Sequence, residues 1–247
     1  MRRAMAGVLV VGMLSAGCSP SKPPHATGVR AGVETTFVVG ESVEGRPLTC
    51  RLFGDRGPVV FALATIHGNE AAGTPLLRRV AQLIREDPSL VANRRVLLLE
   101  VANPDGFERN TRGNANGVDL NRNFPALNFS KSARHGSEPL SEPESRAIYE
   151  LVLEYQPSRI ISFHQPLACI DYEGGPTARA LAERISRDAG LPVNDLSARD
   201  GSLGSYAGDK LGIPIITYEL PREASDMSDE ELWARYGKST MTAIFSD

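Results

Sequence analysis

The sequence is short of the features that would place it in several large classes of protein. It has 27 Lys and Arg against 30 Asp and Glu, so it lacks the basic excess of proteins that bind nucleic acid. With three cysteines, one of them in the N-terminal segment, it can form few disulfides. It has no internal repeat and no low-complexity tract beyond one short segment. At 247 residues the chain is long enough for one domain that buries a core of its own.

The apolar stretch at the N-terminus is too short to span a membrane. Residues 4–17 carry no charge and follow Arg2 and Arg3, whereas a spanning helix needs about 20 apolar residues. This pattern is typical of a secretory signal. Its end, Leu-Ser-Ala-Gly-Cys18, resembles a bacterial lipobox, which predicts a lipoprotein signal peptide over residues 1–18 and lipidation of Cys18. An ordinary cleaved signal with a coincidental cysteine is the alternative. We expect the protein to be exported and lipid-anchored in the bacterial cell envelope, on the periplasmic side.

The rest of the chain divides into a tether and one domain. Residues 19–34 include a polar, proline-rich stretch without periodicity, which predicts a flexible tether. Residues 35–247 are predicted to form a single folded domain. Cys50 and Cys169 lie in it and could pair in an oxidising compartment. We favour two separate buried thiols, because free cysteine packs as a small hydrophobe.

From about residue 35 onward, patterns of strands and helices alternate. Residues 59–66 form a continuous apolar run, as expected of a strand covered on both faces, and residues 75–86 carry apolar side chains at helical spacing. Further strands are predicted at 35–39, 47–53, 95–101, 159–163 and 213–220, and further helices at 142–155, 177–188, 205–211 and 229–244. Ser141 and Ser228 are the predicted N-caps of two of these helices. The order predicts an α/β fold with a largely parallel sheet, helices on both faces, and ligands at the carboxyl ends of the strands.

Three predicted strands end in polar side chains of the metal or acid–base type. His67 and Glu70 follow the first, His164 ends the second and Glu219 ends the third. Each signal is weak by itself, since a histidine at a strand end is more often simply hydrogen-bonded and a glutamate there usually faces solvent. Together they would converge on one edge of a parallel sheet. A set of two histidines and one glutamate leaves an open position on zinc, which is the pattern of catalytic sites, and Glu219 could act as general base.

A long loop follows the fourth predicted strand. It opens with Asn103-Pro-Asp-Gly106, which has turn chemistry, and continues through a segment rich in glycine and asparagine. The loop carries Arg109, Arg112 and Arg122, and arginine suits the bidentate grip of a carboxylate. Solvated surface arginines are the alternative. Because long ordered loops in compact domains tend to be functional, we expect this loop to belong to the site.

In their order along the chain, these motifs resemble those of the zinc carboxypeptidase family. The resemblance covers about residues 40–225. It rests on His67-Gly-Asn-Glu70, the Asn-Pro-Asp-Gly turn, Val-Asp-Leu-Asn121-Arg122-Asn-Phe, Ser-Phe-His164 and Tyr-Glu219-Leu. It implies a single-domain α/β/α sandwich with a mixed, mostly parallel sheet. The predicted domain at 35–247 would then be a zinc carboxypeptidase-like catalytic domain.

The resemblance implies a metal and a base. His67, Glu70 and His164 match the family's ligands for one Zn²⁺ per chain. Glu219 matches the general base that activates water for hydrolysis of an amide bond.

The resemblance also implies residues that bind the substrate. Asn121 and Arg122 match the pair that binds the free carboxylate of the substrate's terminal residue. Arg109 matches the arginine that stabilises the oxyanion, and Arg112 is the next candidate for that role.

Within the family, residues 109–125, 164–171 and 201–205 resemble bacterial murein peptide amidases. Those enzymes cleave between γ-D-glutamate and diaminopimelate in cell-wall peptides. The bond is an amide next to a residue with a free carboxylate, which suits the implied role of Asn121 and Arg122. Gln165 departs from the pattern, because those enzymes have a small residue after the histidine. The resemblance implies a cell-wall muropeptide as substrate.

Three other functions remain open on the sequence. One is a general metallocarboxypeptidase that acts on ordinary peptides. Another is an N-acyl amino acid deacylase of the aspartoacylase or desuccinylase type, which shares the His-Gly-Asn-Glu and Asp-Leu-Asn-Arg motifs. The Asn-Pro-Asp-Gly turn, the Glu-Leu-Pro ending and the export signal speak against it. The third is a lipoprotein that binds zinc or peptide without turnover, and the presence of Glu219 and of all three ligands speaks against that.

Overall fold

The computed structural model describes residues 34–197 and 199–246. Its strands are β1 (Glu34–Glu41), β2 (Pro47–Phe53), β3 (Val59–Leu63), β4 (Arg95–Leu99), β5 (Arg159–His164), β6 (Leu167–Glu173) and β7 (Ile215–Pro221). Its α-helices are α1 (Gly73–Glu86), α2 (Pro104–Arg109), α3 (Pro143–Tyr155), α4 (Pro176–Ala189) and α5 (Asp229–Phe245). Three short 3-10 turns lie at Pro88–Val91, Leu120–Arg122 and Arg222–Asp226, and a π-helical segment at Ser205–Lys210.

The predictions about the N-terminal segment concern residues outside the described ranges. The signal peptide over residues 1–18, the lipidation of Cys18 and most of the tether therefore stay predictions. Among the residues that the structure does describe, no helix has the length and apolar character needed to cross a membrane.

The strands form one mixed sheet in the order β1-β2-β4-β3-β5-β7-β6. The four central strands β4, β3, β5 and β7 are parallel, and β1, β2 and β6 pair antiparallel at the two sides. Apolar side chains of α1, α4 and α5 pack on one face of the sheet, and those of α3 pack on the other. This architecture confirms the predicted α/β/α sandwich with a mixed, mostly parallel sheet.

The order of the strands creates an opening at the carboxyl end of β3. The chain leaves β3 through α1 to reach β4 on one side, and it later returns through α3 to β5 on the other side. The two connections diverge above β3, because α1 and α3 cover opposite faces of the sheet. Such a switch point is where open α/β sheets bind ligands.

Local sequence explains most of the observed elements. All five residues of β3 are buried, as expected of a strand covered on both faces. The predicted cap of α5 is confirmed, since Ser228 and Glu231 form a capping box. The predicted cap of α3 is wrong: Glu142 is the N-cap residue, and the Ser141 hydroxyl instead donates to the Glu142 carboxylate.

Candidate metal centre

Three side chains meet at the carboxyl end of β3. The Nδ1 atoms of His67 and His164 lie 3.1 Å apart, and Glu70 Oε2 lies 2.9 Å from the first and 3.1 Å from the second. All three residues are buried, with at most 6% of their surface exposed. The structure thus brings together the three predicted metal ligands, from the loop after β3 and from the end of β5.

The backbone of the loop after β3 aims two of these ligands. Thr65 has a φ of 55°, a left-handed conformation that β-branched residues rarely adopt, and its Oγ1 lies 2.7 Å from Thr74 Oγ1 at the start of α1. Gly68 lies directly against the backbone of α2, where an added Cβ would stand 2.0 Å from the carbonyl carbon of Gly106. Only glycine permits this approach, which explains the glycine between His67 and Glu70 in the motif.

Hydrogen bonds at the far side of each ring turn the Nδ1 atoms toward the centre. His67 Nε2 lies 2.9 Å from Asp119 Oδ1, and His164 Nε2 lies 3.0 Å from Ser162 Oγ. With the ring proton on Nε2 in both residues, each Nδ1 offers a lone pair to the centre. Histidines that bind a metal through one ring nitrogen usually donate the N–H of the other to a carboxylate or another acceptor.

Arg112 connects the ligands on one side of the centre. Its Nη1 donates to Glu70 Oε1 at 2.7 Å, and its Nε donates to Asp119 Oδ2 at 2.9 Å. One guanidinium therefore holds both a ligand carboxylate and the carboxylate that orients His67.

The electrostatics of the centre favour positive charge. Burial by itself raises the pKa of Glu70, but hydrogen bonds with His164 and His67 outweigh it and hold the pKa well below its usual range. Asp119 behaves in the same way, with His67 and Arg112 opposing the effect of burial on its pKa. Burial lowers the pKa of His67, yet hydrogen bonds with Asp119 and Glu70 raise it overall. Two buried carboxylates therefore remain ionised beside the rings.

These three donors fit a zinc ion. Ring nitrogens and a carboxylate oxygen that face one another at about 3 Å repel unless a proton or a cation lies between them. A tetrahedral zinc with bonds of about 2.0–2.1 Å separates its ligand atoms by about 3.3 Å. The observed separations of 2.9–3.1 Å are close to that value. Two histidines and one carboxylate also leave one coordination position open.

Glu219 lies beside the cluster on the neighbouring strand. In the parallel pair of β5 and β7 it is the register partner of His164, so the two side chains leave the sheet on the same face. Only 7% of Glu219 is exposed. The backbone N–H of Leu167 donates to its Oε2 at 3.3 Å, which fixes one carboxylate oxygen. The predicted base therefore stands next to the metal ligands but is not one of them.

Asn121 and Arg122 also border the cluster. Asn121 Oδ1 accepts from the backbone N–H of Leu203 at 2.9 Å, and its Nδ2 lies 3.5 Å from His164 Nε2. Burial lowers the pKa of the Arg122 guanidinium, and the neighbouring Arg112 adds to this effect, while Asp119 opposes it. Arginine stays charged even so. Within the described ranges Arg122 forms no ion pair, so it is a partly desolvated cation that a carboxylate could satisfy.

The two candidate arginines for the oxyanion occupy different places. Arg109 is exposed and forms an ion pair with Glu44, and it makes no contact with the three ligands. Arg112, the second candidate, touches Glu70 directly. The structure therefore does not bring Arg109 into the cluster, and it puts Arg112 there.

The sequence analysis gave no role to Asp119 or to the side chain of Gln165. Asp119 stands two places before Asn121 in the Val-Asp-Leu-Asn-Arg motif, and this position was the sequence signal that it belongs to the site. The signal for Gln165 is its departure from the small residue that murein peptide amidases have after the histidine. Its backbone N–H donates to Glu70 Oε2 at 3.1 Å, and its side-chain Oε1 accepts from the N–H of Ala72 at 3.1 Å. Both residues hold metal ligands in place.

The remaining cysteines take no part in the site. Cys50 and Cys169 are free and buried, which confirms the preference for two separate thiols. Burial raises the pKa of Cys50 to about 12 and that of Cys169 to about 11. Both thiols are therefore protonated and unreactive at neutral pH.

The comparisons with known proteins agree with this geometry. The sequence profile described as "Zinc carboxypeptidase" matches residues 31–235. Murein peptide amidase A of Escherichia coli is 36% identical over 187 residues, which cover 68% of this chain and 74% of that protein. The crystal structure of an Escherichia coli murein-tripeptide amidase is 32% identical and superposes with a TM-score of 0.66 over 84% of this chain and 91% of that one. Carboxypeptidase A of Helicoverpa armigera shares the fold, with a TM-score of 0.70 at 22% identity over 87% of this chain and 69% of that one.

Proposed function

The chain belongs to the zinc carboxypeptidase family and is a hydrolase, and from this premise we propose that it cleaves the amide bond between γ-D-glutamate and diaminopimelate in murein peptides. The observation that carries the proposal is the buried cluster of two histidines and a glutamate beside the guanidinium of Arg122, which forms no ion pair with any described residue. The similarity in sequence and in fold to the murein peptide amidase of Escherichia coli supports the choice of substrate.

In this proposal His67, His164 and Glu70 would hold one zinc ion. Zinc would supply a Lewis acid that polarises a carbonyl and lowers the pKa of water. Asp119 and Ser162 keep the two rings in the tautomer that presents Nδ1.

Glu219 is the general base. Its carboxylate takes a proton from the attacking water and then delivers it to the nitrogen of the leaving amine, so that no net proton is left on the enzyme. In the strand register it stands beside His164, and the Leu167 N–H, which donates to its Oε2, orients it. The carbonyl carbon gains the water oxygen and loses the amine.

Asn121 and Arg122 bind the carboxylate next to the leaving nitrogen. The Leu203 N–H fixes the Asn121 amide, and the Arg122 guanidinium supplies the positive charge. Diaminopimelate brings this carboxylate on the carbon that bears the leaving amine, as the terminal residue of an ordinary peptide does.

Arg112 stabilises the negative charge that develops on the carbonyl oxygen. Two of its five N–H donors are engaged with Glu70 and Asp119, which leaves others for a substrate oxygen. We therefore assign this role to Arg112 and not to Arg109, the residue that the family resemblance suggested first.

The proposal is tested on the purified chain with L-Ala-γ-D-Glu-diaminopimelate. We expect release of diaminopimelate, read by mass spectrometry, that stops with a chelator and returns with added zinc. Glu219→Gln is the matched variant, which should retain one zinc per chain and lose nearly all turnover.

Zinc binding without release from this peptide, together with hydrolysis of ordinary C-terminal peptides or N-acyl amino acids, would contradict the murein substrate but keep the metal site. Full activity of Glu219→Gln would instead contradict the assigned base.

A further inference from the structure

A cavity of about 230 Å³ lies against one side of the metal cluster. Its lining includes two guanidinium groups. Beside the ligand Glu70 and its partner Arg112, the cavity is lined by Asn69, Gln165, Arg222 and Ser225. Arg112 lies after α2, and the other lining residues come from the loops that follow β3, β5 and β7. Asn121 and Arg122 are not part of the lining. Within the described residues, the cavity is therefore distinct from the place assigned to the leaving residue's carboxylate.

The two arginines of the cavity are in different states. Arg112 is engaged with the carboxylates of Glu70 and Asp119. Arg222 has no carboxylate within ion-pair distance and no side-chain hydrogen bond among residues 34–197 and 199–246. Its charge is therefore available to an anionic ligand in the cavity.

The segment that carries Arg222 is held close to the metal ligands. The Gln165 side chain is buried, and its Nε2 donates to Ser225 Oγ at 2.8 Å and to the Pro221 carbonyl at 3.4 Å. The backbone N–H of the same residue donates to Glu70 Oε2 at 3.1 Å. Gln165 thus contacts Pro221 and Ser225, which flank Arg222 on either side, as well as the ligand Glu70, so the backbone that carries Arg222 is held beside the metal ligands.

The chemistry of the proposed substrate supplies an anion for this place. When glutamate forms an amide through its γ-carboxyl group, its α-carboxylate stays free. That carboxylate lies on the acyl side of the bond to be cleaved, opposite the leaving amine. In an α-linked glutamyl residue the α-carboxyl carbon is itself the acyl carbon of the bond to be cleaved, so no free α-carboxylate remains.

We propose that Arg222 binds the free α-carboxylate of the γ-linked glutamyl residue and so selects γ-linked over α-linked substrates. This inference rests on the proposed function and extends it, because it assigns recognition of the acyl side to a residue outside the motifs. Arginine suits the task, since its planar fork matches a carboxylate in two parallel hydrogen bonds.

The test compares two peptides that differ only at this group. One is L-Ala-γ-D-Glu-diaminopimelate, and the other has the α-carboxylate of the glutamyl residue converted to the neutral carboxamide. We expect the unaltered chain to have a kcat/KM about 10–100-fold higher for the carboxylate, the range of a charge-assisted pair of hydrogen bonds. Arg222→Gln should lose this preference by slowing the carboxylate peptide alone, and Arg222→Lys should keep part of it.

The control is Arg179→Gln, which removes one exposed positive charge on α4, away from the cavity, and should leave the preference unchanged. An equal loss on both peptides in Arg222→Gln would overturn the inference, as would a native chain that hydrolyses both peptides at the same rate. Hydrolysis of neither peptide by the native chain would overturn the proposed function together with the inference. Hydrolysis of both without preference overturns the inference alone.

Discussion

Arg112 makes two contacts that hold the site together in the absence of substrate. It neutralises part of the charge of Glu70, and it fixes the carboxylate of Asp119, which in turn orients the His67 ring. A lysine could supply the charge, but it could not hold both carboxylates in the plane of one guanidinium. The identity of this residue as arginine is therefore explained by the contacts of the site itself.

The first prediction tests whether Arg112 or Arg109 stabilises the oxyanion. Arg112→Gln should lower kcat by about 10²–10³-fold, the cost of removing one oxyanion donor. Arg109→Gln should stay within about twofold of the native rate, because Arg109 contacts Glu44 at the surface. Zinc content is measured in both variants, so that the loss is judged at full metal occupancy. If Arg109→Gln were the slower variant, the assignment would be reversed.

At the scale of elements, the site depends on how closely α2 approaches the loop after β3. The backbone N–H of Gly68 donates to the Arg112 carbonyl at 3.3 Å, and Asn103 Nδ2 donates to the Ile66 carbonyl at 3.3 Å. The chain from the end of β4 through α2 to Arg112 thereby supports the segment that carries His67 and Glu70. The Asn-Pro-Asp-Gly motif is the start of α2, with Asn103 as its N-cap. The same Asn103 side chain makes the contact with Ile66.

The second prediction tests this contact with a single methyl group. Gly68→Ala should destabilise the fold by about 1–3 kcal/mol or more, because the new Cβ would meet backbone atoms of Gly106 and Phe107 that cannot move aside. It should also weaken zinc binding, since both neighbouring ligands must shift. Thermal unfolding and zinc content per chain measure the two effects. Gly40→Ala is the control, because its Cβ would make only an ordinary contact of 3.5 Å with Ala147; equal behaviour of the two variants would contradict the argument.

At the scale of the whole molecule, one buried carboxyl outside the site affects stability. Glu173 on β6 packs against Gly204 and Gly208, and its Oε2 is buried without a hydrogen-bond partner among the described residues. Burial, reinforced by Asp171 and Asp209, raises its pKa from 4.5 to about 8. Between these two values the folded chain keeps a proton that the unfolded chain releases. The free energy of unfolding therefore falls as the pH rises through this window.

The third prediction follows from that sign. Glu173→Gln should remove the cost of ionising this carboxyl in the folded chain. The difference in the free energy of unfolding between the variant and the native chain should therefore shift in favour of the variant between pH 5 and pH 9. One pKa unit corresponds to about 1.4 kcal/mol, so the full shift sets an upper bound of about 5 kcal/mol. Denaturant unfolding at several pH values measures it. Glu150→Gln, at an exposed position of α3, should show no such trend; a parallel trend in both variants would contradict the account.

Much of the fold could be predicted from the sequence, because burial leaves a periodic trace along the chain. The apolar run of β3, the helical spacing of α1 and the Ser228 cap were all visible. β6 was missed: it begins directly after a proline and carries acidic residues at Asp171 and Glu173, which are uncommon in strands. Its antiparallel pairing with β7 comes from the tertiary fold.

The sequence by itself determined which residues could bind a metal, since His67, Glu70 and His164 each stand at a strand end and parallel strands share one edge. Only the tertiary structure decided which of two nearby arginines reaches them. Arg109 ends α2, and Asn110 with a φ of 51° reverses the chain, so Arg109 points to Glu44 while Arg112 turns to the site. One partner of Arg112 lies far along the chain, since Glu70 is 42 residues away. A contact over such a separation leaves no local pattern, and for that reason only the folded chain reveals it.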